Sequence, residues 1–312
     1  MKPKILFILH LPPPIHGAAM MGKYIQESEL INSSFDCFCI NLATAGSLSD
    51  IGHISLKKLL KYFFLLKHIS NVVREIRPEL VYITPNAGRK AFFKDFIVVQ
   101  MLKSMGCKVI AHYHNKGVSV YQSKWVYNFF YKRFFSNLKV ILLAENLYKD
   151  MAKYVKREDV YICPNGIPSS CKEEMEARRN NVIPHLLFLS NLLISKGVIV
   201  LLDALRILKE KGYLFNCQYV GGETAEINAM QFVVEVERRK LNDRVAYAGR
   251  KVGEEKNTFF QQADIFILPT MNECFPLVIL EAMEYKLPVI STNEGGIPDI
   301  VKDGENGLIC LK

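Results

Sequence analysis

The chain has 312 residues, of which half are hydrophobic and 23% charged, and a formal net charge of +9. That length suits one large or two ordinary domains with proper cores, and the composition is that of a folded protein rather than a disordered or fibrous one. The apolar runs are too short to span a bilayer, and the eight scattered cysteines, with no C-x-x-C pair, read as reduced core thiols of a cytosolic protein rather than a disulfide or zinc framework.

The start, MKPKILFILH, has only five consecutive apolar residues before His10, and it reads as a first strand rather than a signal peptide. From there short apolar runs alternate with longer amphipathic stretches, the pattern of parallel α/β layers. In the first half the pattern predicts strands near 4–9, 35–41, 79–83, 107–112, 139–143 and 159–162. Helices are predicted near 17–30, 55–76, 88–105, 123–136 and 145–156. The polar run KEEMEARRNN then marks a linker, so the expected division is 1–168, a linker at 169–183, and 184–312. In the second half, strands are predicted near 186–190, 214–220, 244–248, 264–268 and 287–291, with helices near 197–211, 226–240, 254–262 and 276–285. The expected architecture is two Rossmann-like domains whose strand C-termini face each other across a cleft.

Charge divides along the same line. Residues 1–160 hold 23 Lys and Arg against 11 Asp and Glu, while residues 161–312 hold 17 against 20. A half with net +12 beside one with net −3 suggests that the first half faces something anionic.

The unusual residues collect where strands end. Gly17, after HLPPPIH, permits close backbone approach at a helix start, and His112 and His114 close the fourth strand beside Asn115 and Gly117. Imidazoles titrate near neutrality and can orient or protonate a substrate, although a strand-end histidine can equally be structural. Lys196-Gly197 before a helix suits an anion, through one ammonium and free helix amides, or is a solvated lysine at a turn. Gly221-Gly222 follows a strand, but G-x-G-x-x-G and the P-loop are both absent. In PTMNECFPLVILEAM, Pro276 suits the first helical position, placing Glu273 in the loop and Glu281 in the second turn. No Asp-x-Asp, H-E-x-x-H or third clustered ligand accompanies the histidines, so no metal is expected.

The segment KKLLKYFFLLKH, 57–68, is basic and aromatic. At about 100° per residue, Lys57, Lys61 and His68 share one arc, with Leu59, Phe63 and Leu66 opposite and Phe64 and Leu65 exposed beside the basic side. The mixture fits an interfacial helix on an anionic membrane, as does Trp125 to Phe135. A core helix with a solvated basic face is the plainer alternative. Helical spacing makes nucleic acid the weaker reading.

Taken together, Glu273 and Glu281 as E-x7-E, Pro164-Asn165-Gly166-Ile167, Lys196-Gly197, Gly221-Gly222, EGGIPDIV and Asp303-Gly304-Glu305-Asn306-Gly307 occur in an order that resembles the retaining GT-B glycosyltransferases of family 4, the glycosyl transferase group 1 type. The resemblance implies the GT-B fold and a sugar transferred from a nucleotide-sugar, UDP-hexose or UDP-N-acetylhexosamine, to a saccharide or polyprenyl-linked acceptor in envelope polysaccharide synthesis. It assigns Glu273 and His114 to the transferred sugar and catalysis. Gly17, Asn191, Lys196, Gly222, Arg250, Phe275 and Glu281 go to the donor, and His16 and His112 to the acceptor. It implies front-face attack, no cofactor and no metal. It also fits a cytoplasmic protein peripheral on the inner face of the cell membrane, with an anionic membrane and no nucleic acid as partner.

The sequence departs from the family pattern in places. Ser190-Asn191-Leu192 replaces Gly-Arg-Leu, removing one phosphate cation unless Arg250 or Lys251 replaces it. Cys274-Phe275-Pro276 replaces Gly-Phe-Gly, and the C-terminal end is short for the family. These departures motivate the alternative, a non-catalytic nucleotide-sugar or glycan binding protein of the same fold.

Overall fold

The computed structural model describes residues 2–13, 17–42, 56–168 and 181–311; the side chains of residues 56–58 lie outside the description. The chain divides into two compact units, Met1–Asn165 and Gly166–Lys312. Residues 169–180, most of the predicted linker, fall outside the described residues, as does His16.

The first unit runs β1 (Lys4–Leu9), α1 (Gly17–Glu27), α2 (Glu29–Ser34), β2 (Asp36–Asn41), α3 (Leu56–Ile76), β3 (Leu80–Ile83), α4 (Arg89–Ser104), β4 (Val109–Tyr113), α5 (Val118–Tyr121), α6 (Trp125–Phe135), β5 (Lys139–Leu142) and β6 (Val160–Ile162). Its strands form a parallel sheet in the order β2-β1-β3-β4-β5-β6. Leu6 and Ile8 bury on one face of β1 while Ile5, Phe7 and Leu9 bury on the other, so the strand reads as a continuous apolar run. Such runs are the mark of a sheet covered on both sides.

The second unit runs β7 (His185–Leu189), α7 (Val198–Glu210), β8 (Asn216–Val220), α8 (Ala229–Arg238), β9 (Val245–Tyr247), α9 (Gly253–Gln262), β10 (Ile265–Leu268), α10 (Leu277–Glu284), β11 (Val289–Thr292), α11 (Ile297–Ile300) and β12 (Gly307–Cys310). Its parallel order is β12-β11-β10-β7-β8-β9. Phe188, Tyr219, Phe232, Phe260 and Phe266 fill its core. The connection reverses direction between β7 and β10, which makes the gap at the C-terminal ends of these two strands the topological switch point, the place where open α/β sheets bind ligands.

Several expectations differ in detail. The helix predicted over 17–30 breaks at Ser28, whose hydroxyl accepts from the Ile31 amide and starts a second helix. The helix predicted over 145–156 is only a 3₁₀ turn, Glu145–Asp150. Pro276 sits one position earlier than predicted, as N-cap with ψ 116°, where its missing N–H is equally harmless. Strand β12 was not expected: it is short and half-exposed, and it pairs with β11 at the sheet edge.

Candidate functional site

At the switch point of the second unit, three loops lock together. After β7 the chain makes a 3₁₀ turn, Ile194–Lys196, and Gly197 adopts a left-handed φ of 82° to start α7. A Cβ at Gly197 would run into the Pro269 carbonyl of the loop after β10. The Met271 amide donates to the Ser195 carbonyl at 2.8 Å, tying those two loops. The third loop closes through Gly295, at φ 55°, where a Cβ would meet the Glu273 and Cys274 carbonyls, and through the Gly296 amide, which donates to Cys274 O at 2.7 Å.

This scaffold places two acid–lysine pairs. Lys196 Nζ donates to Glu273 Oε1 and, at 3.2 Å, to the Asn272 carbonyl. Both charged side chains are largely sheltered, at 20% and 18% exposure. Glu281, in the second turn of α10, accepts from Lys256 Nζ of α9 at 2.8 Å. Each carboxylate is therefore held in place and neutralised by its own cation. The first-turn amides of α7 have no intrahelical partner and carry the positive end of the helix dipole.

Asn191, Gly222 and Arg250 also come together. Asn191 Oδ1 accepts from the Gly222 amide at 3.1 Å, and the Arg250 stem lies beside Gly222. Gly221 is the tighter glycine of the pair, since at φ 156° its Cβ would collide with the Ser190 carbonyl. Phe275, predicted at the donor, is only 7% exposed, so the switch-point loop uses it as an anchor.

At the edge of the first unit the paired side chains are polar rather than ionic. His10 follows β1 and its Nδ1 lies 3.2 Å from Thr84 Oγ1, after β3, which marks that sheet's own switch point. Beyond it, His114 Nδ1 lies 3.2 Å from Asn165 Oδ1, and its Nε2 is buried with no hydrogen-bond partner among the described residues. With Nδ1–H donating to the amide oxygen, Nε2 is left as an acceptor. Burial lowers the His114 pKa to about 4, against a smaller rise from the Asn165 hydrogen bond, so the imidazole is neutral at physiological pH. His112, predicted at the acceptor, is instead buried at 5% exposure, with Nδ1 engaged by the Tyr82 hydroxyl and its ring 4.2 Å from that of His114. Burial first, and the His114 charge second, push its pKa down to about 2. Its place is behind His114.

Among the described residues no atom lies within 4 Å of a Cβ at Gly17, so the space beside it is open, whereas Gly22 in α1 packs directly on the His10 carbonyl. Two further residues carried no signal in the sequence. Lys256 lies in an ordinary amphipathic helix. Asp150 accepts from the Gly117, Val118 and Ser119 amides at 2.8, 3.0 and 3.0 Å, fixing the loop that follows His114 from 33 residues away. A cavity of about 260 Å³ lined by His185, Asn216, Asp243 and Arg244 lies at the opposite, N-terminal strand edge of the second unit. Among the described residues no group of three or more His, Cys, Asp or Glu gathers to ligate a metal.

Comparison with known proteins gives this edge a context. Residues 173–311 match the family model for glycosyl transferases group 1. The chain is 25% identical over 245 residues to the amylovoran biosynthesis glycosyltransferase AmsK of Erwinia amylovora, covering 72% of this chain and 59% of that protein. The chain thus spans less than two thirds of that relative's length. Sucrose-phosphate synthase of Thermosynechococcus elongatus superposes over 100% of this chain and 86% of its own, at TM-score 0.74 and 18% identity. HepE of Anabaena, solved in complex with UDP and glucose, covers 99% of this chain and 85% of its own at TM-score 0.67 and 18% identity. These likenesses show the fold: the chain is of the GT-B type, with two Rossmann-like units in series.

Proposed function

We propose that the chain is a retaining glycosyltransferase of family 4 type, moving a hexose or N-acetylhexosamine from a UDP-sugar to a saccharide or polyprenyl-linked acceptor in envelope polysaccharide synthesis. The observation that carries the reading is the pair of neutralised carboxylates, Glu273 with Lys196 and Glu281 with Lys256, at the switch point of a unit that matches glycosyl transferases group 1. AmsK, by name an amylovoran biosynthesis glycosyltransferase, supports the polysaccharide assignment, and the UDP and glucose held by HepE support the donor.

Ligand-free, Lys196 and Glu273 satisfy each other. A diphosphate arriving at the N-terminus of α7 offers Lys196 an equivalent anion, and the released Glu273 then accepts hydrogen bonds from sugar hydroxyls. Such an exchange avoids desolvating a bare charge, which is the usual cost of burying an ion pair. Glu281 accepts from the ribose diol, while Asn191, Gly222 and Arg250 border the phosphates. In the transfer step the acceptor oxygen forms a bond to the anomeric carbon as the bond to the diphosphate breaks. The electron pair leaves with the diphosphate, which takes up the acceptor's hydroxyl proton on the same face. Lys196 and the helix amides stabilise the charge where it develops, the most productive place for fixed dipoles to act. His114, neutral and with Nε2 as acceptor, takes a hydrogen bond from a hydroxyl of the transferred sugar. The chemistry gives a protein cofactor or metal no part.

Calorimetry with a panel of UDP-sugars tests the reading. Binding of one donor, lost in Glu281→Ala, is the expected result; donor binding unchanged in that variant overturns the assignment. Binding of a donor without its consumption in the presence of any acceptor identifies a binding protein instead.

A further inference from the structure

The helices α3, α4 and α6 cover one face of the first sheet side by side, and Tyr62 of α3 donates to the Lys94 carbonyl of α4. Each lies in a right-handed crossover between parallel strands, so its C-terminus leads to the start of the next strand and its first turns lie at the strand C-terminal edge. That edge also carries His10, Thr84 and His114. At 21 residues α3 is about 31 Å long. A six-residue strand such as β1 is only about 20 Å. The C-terminal half of α3 packs on the sheet through Ile69, Val73 and Ile76. Its first turns overhang the edge.

The overhang is apolar. Leu59, Leu60, Phe63 and Phe64 are 55%, 53%, 63% and 63% exposed. On a helical wheel they span about 140° of arc, turned away from Ile69, Val73 and Ile76. Leu59 and Phe63, opposite the basic arc on the wheel, thus face solvent, which sets aside the plainer alternative of a core helix at these positions. Along the same edge, α6 begins with Trp125, 81% exposed, and presents Phe129 beneath the Arg133 guanidinium. The surrounding charge has one sign: α3, α4 and α6 contain five, four and two Lys or Arg, against only Glu75 and Asp95, and Asp95 is fully buried. Lys61, Lys67, Arg89, Lys90, Lys124 and Lys132 are exposed.

We propose that this overhang is a docking surface for an anionic lipid bilayer, with Leu59, Leu60, Phe63, Phe64 and Trp125 entering the headgroup–acyl boundary and the lysines and arginines meeting lipid phosphates. Exposed aliphatic and aromatic side chains on one arc, rimmed by cations, are the composition that binds such interfaces. Leu59 and Leu60 offer nothing to a nucleobase, and the aromatics stand on helix turns rather than an open strand surface, which disfavours single-stranded nucleic acid. The placement presents a lipid-borne molecule to the edge that holds His114. The inference goes beyond the sugar-transfer reading, and its readout needs no donor, so each can fail alone.

The experiment is sedimentation of the full chain with phosphatidylcholine vesicles, with and without phosphatidylglycerol. Binding is expected to require phosphatidylglycerol and to weaken with salt. Leu60→Ser/Phe63→Ser/Phe64→Ser should lower the partition coefficient at least about tenfold. Trp125→Ser alone should lower it by a smaller factor, and Lys61→Glu/Lys67→Glu should remove most of the dependence on phosphatidylglycerol. Leu30→Ser, an exposed residue on α2, should change nothing. Circular dichroism melting confirms that each variant is folded. Equal vesicle binding by the triple variant overturns the proposal, as does no binding by the parent chain. Tighter binding of a single-stranded oligonucleotide, lost in the same variants, overturns it too.

Discussion

The two sheets have the same strand count and the same parallel sense, yet their C-terminal edges are built from opposite materials. The second unit's edge is ionic: two carboxylates, each held by a lysine, one on a loop and one on α10, beside loops so close that Gly197 and Gly295 are pressed against neighbouring carbonyls. At the first unit's edge the paired groups are polar rather than ionic: His10 with Thr84, Tyr82 with His112, and His114 with Asn165, with burial keeping the His112 and His114 imidazoles uncharged. Paired ions can exchange partners with a charged ligand at little desolvation cost. Neutral donors and acceptors suit hydroxyls and keep their protonation state across the physiological range. One fold, used twice, thus yields an ionic edge and a polar one, which the proposed reading assigns to a diphosphate and to sugar hydroxyls.

The contrast breaks most completely at Gly221. Its φ of 156° and the Ser190 carbonyl beneath it leave no room for a methyl group. Gly221→Ala should cost on the order of 3 kcal/mol, from backbone strain plus a displaced loop. A urea titration reads this directly, and a loss below about 1 kcal/mol would mean that the loops are not interlocked as described. Gly17→Ala, in open space, is the matched control and should be near neutral.

The ionic edge is next. Lys196→Ala should lower turnover with the preferred donor by about 100-fold, since charged hydrogen bonds contribute about 1.5–3 kcal/mol each. In the ligand-free protein the same change strands Glu273, so the stability loss should shrink in Lys196→Ala/Glu273→Gln. A turnover loss that the double variant restored would assign the pair to folding rather than to the ligand.

Much of this edge could be read from the sequence, but not its pairings. Strands and crossover helices follow from apolar runs and amphipathic periods, and because those signals are local, β1 through β11 fall close to where they were expected. Glu273 and Glu281 are eight residues apart, and the helix between them is legible, so both acids were placed correctly on loop and helix. Lys196 lies 77 residues from Glu273, and only the strand order β10-β7 brings the two loops together. Lys256 has no local mark at all: α9 would be the same helix with any polar residue there. On the first unit the sequence draws attention to Gly17, because glycine at a helix start usually signals close approach. Within the protein the tight contact is at Gly22, inside the helix, and no sequence signal marks it because only packing against His10 explains it.

The neutral edge makes a prediction in pH. The folded-state pKa values of His114 and His112 fall from 6.5 to about 4 and about 2, so below pH 6.5 the unfolded chain binds two protons that the folded chain refuses. Stability therefore declines as pH drops through that window. Asp95, buried in α4, has the opposite sign: burial raises its pKa from 3.8 to about 6, so between these values the folded chain holds a proton that the unfolded chain has lost. From pH 6 to pH 4 the net difference from these three groups is one proton, a slope of about 1.4 kcal/mol per pH unit. Asp95→Asn removes the opposing contribution and should roughly double the slope over that range. Denaturation measured at several pH values checks both halves: no loss of stability from pH 6 to pH 4 in the parent chain would show that the histidines are not held neutral by burial, and an unchanged slope in Asp95→Asn would show that Asp95 does not hold its proton in the folded chain.

The smallest effect expected is also the one that most sharply separates the two edges. Lys256 and Glu281 are each about a quarter exposed, so their pair is screened by solvent and contributes at most about 1 kcal/mol. Lys256→Met leaves the apolar stem and removes the charge. If the second edge works by charge balance, Glu281 then stands unneutralised in a site that must receive a diphosphate, and UDP affinity should fall up to about fivefold. The loss should fade at high salt, because a partly exposed pair is weakened by screening. If Lys256 instead merely blocks Glu281, removing it frees a carboxylate oxygen for the ribose, and affinity rises. Calorimetry at low and high salt gives the sign, and a rise at low salt would make Lys256 a gate on the ribose rather than part of the anion's counter-charge.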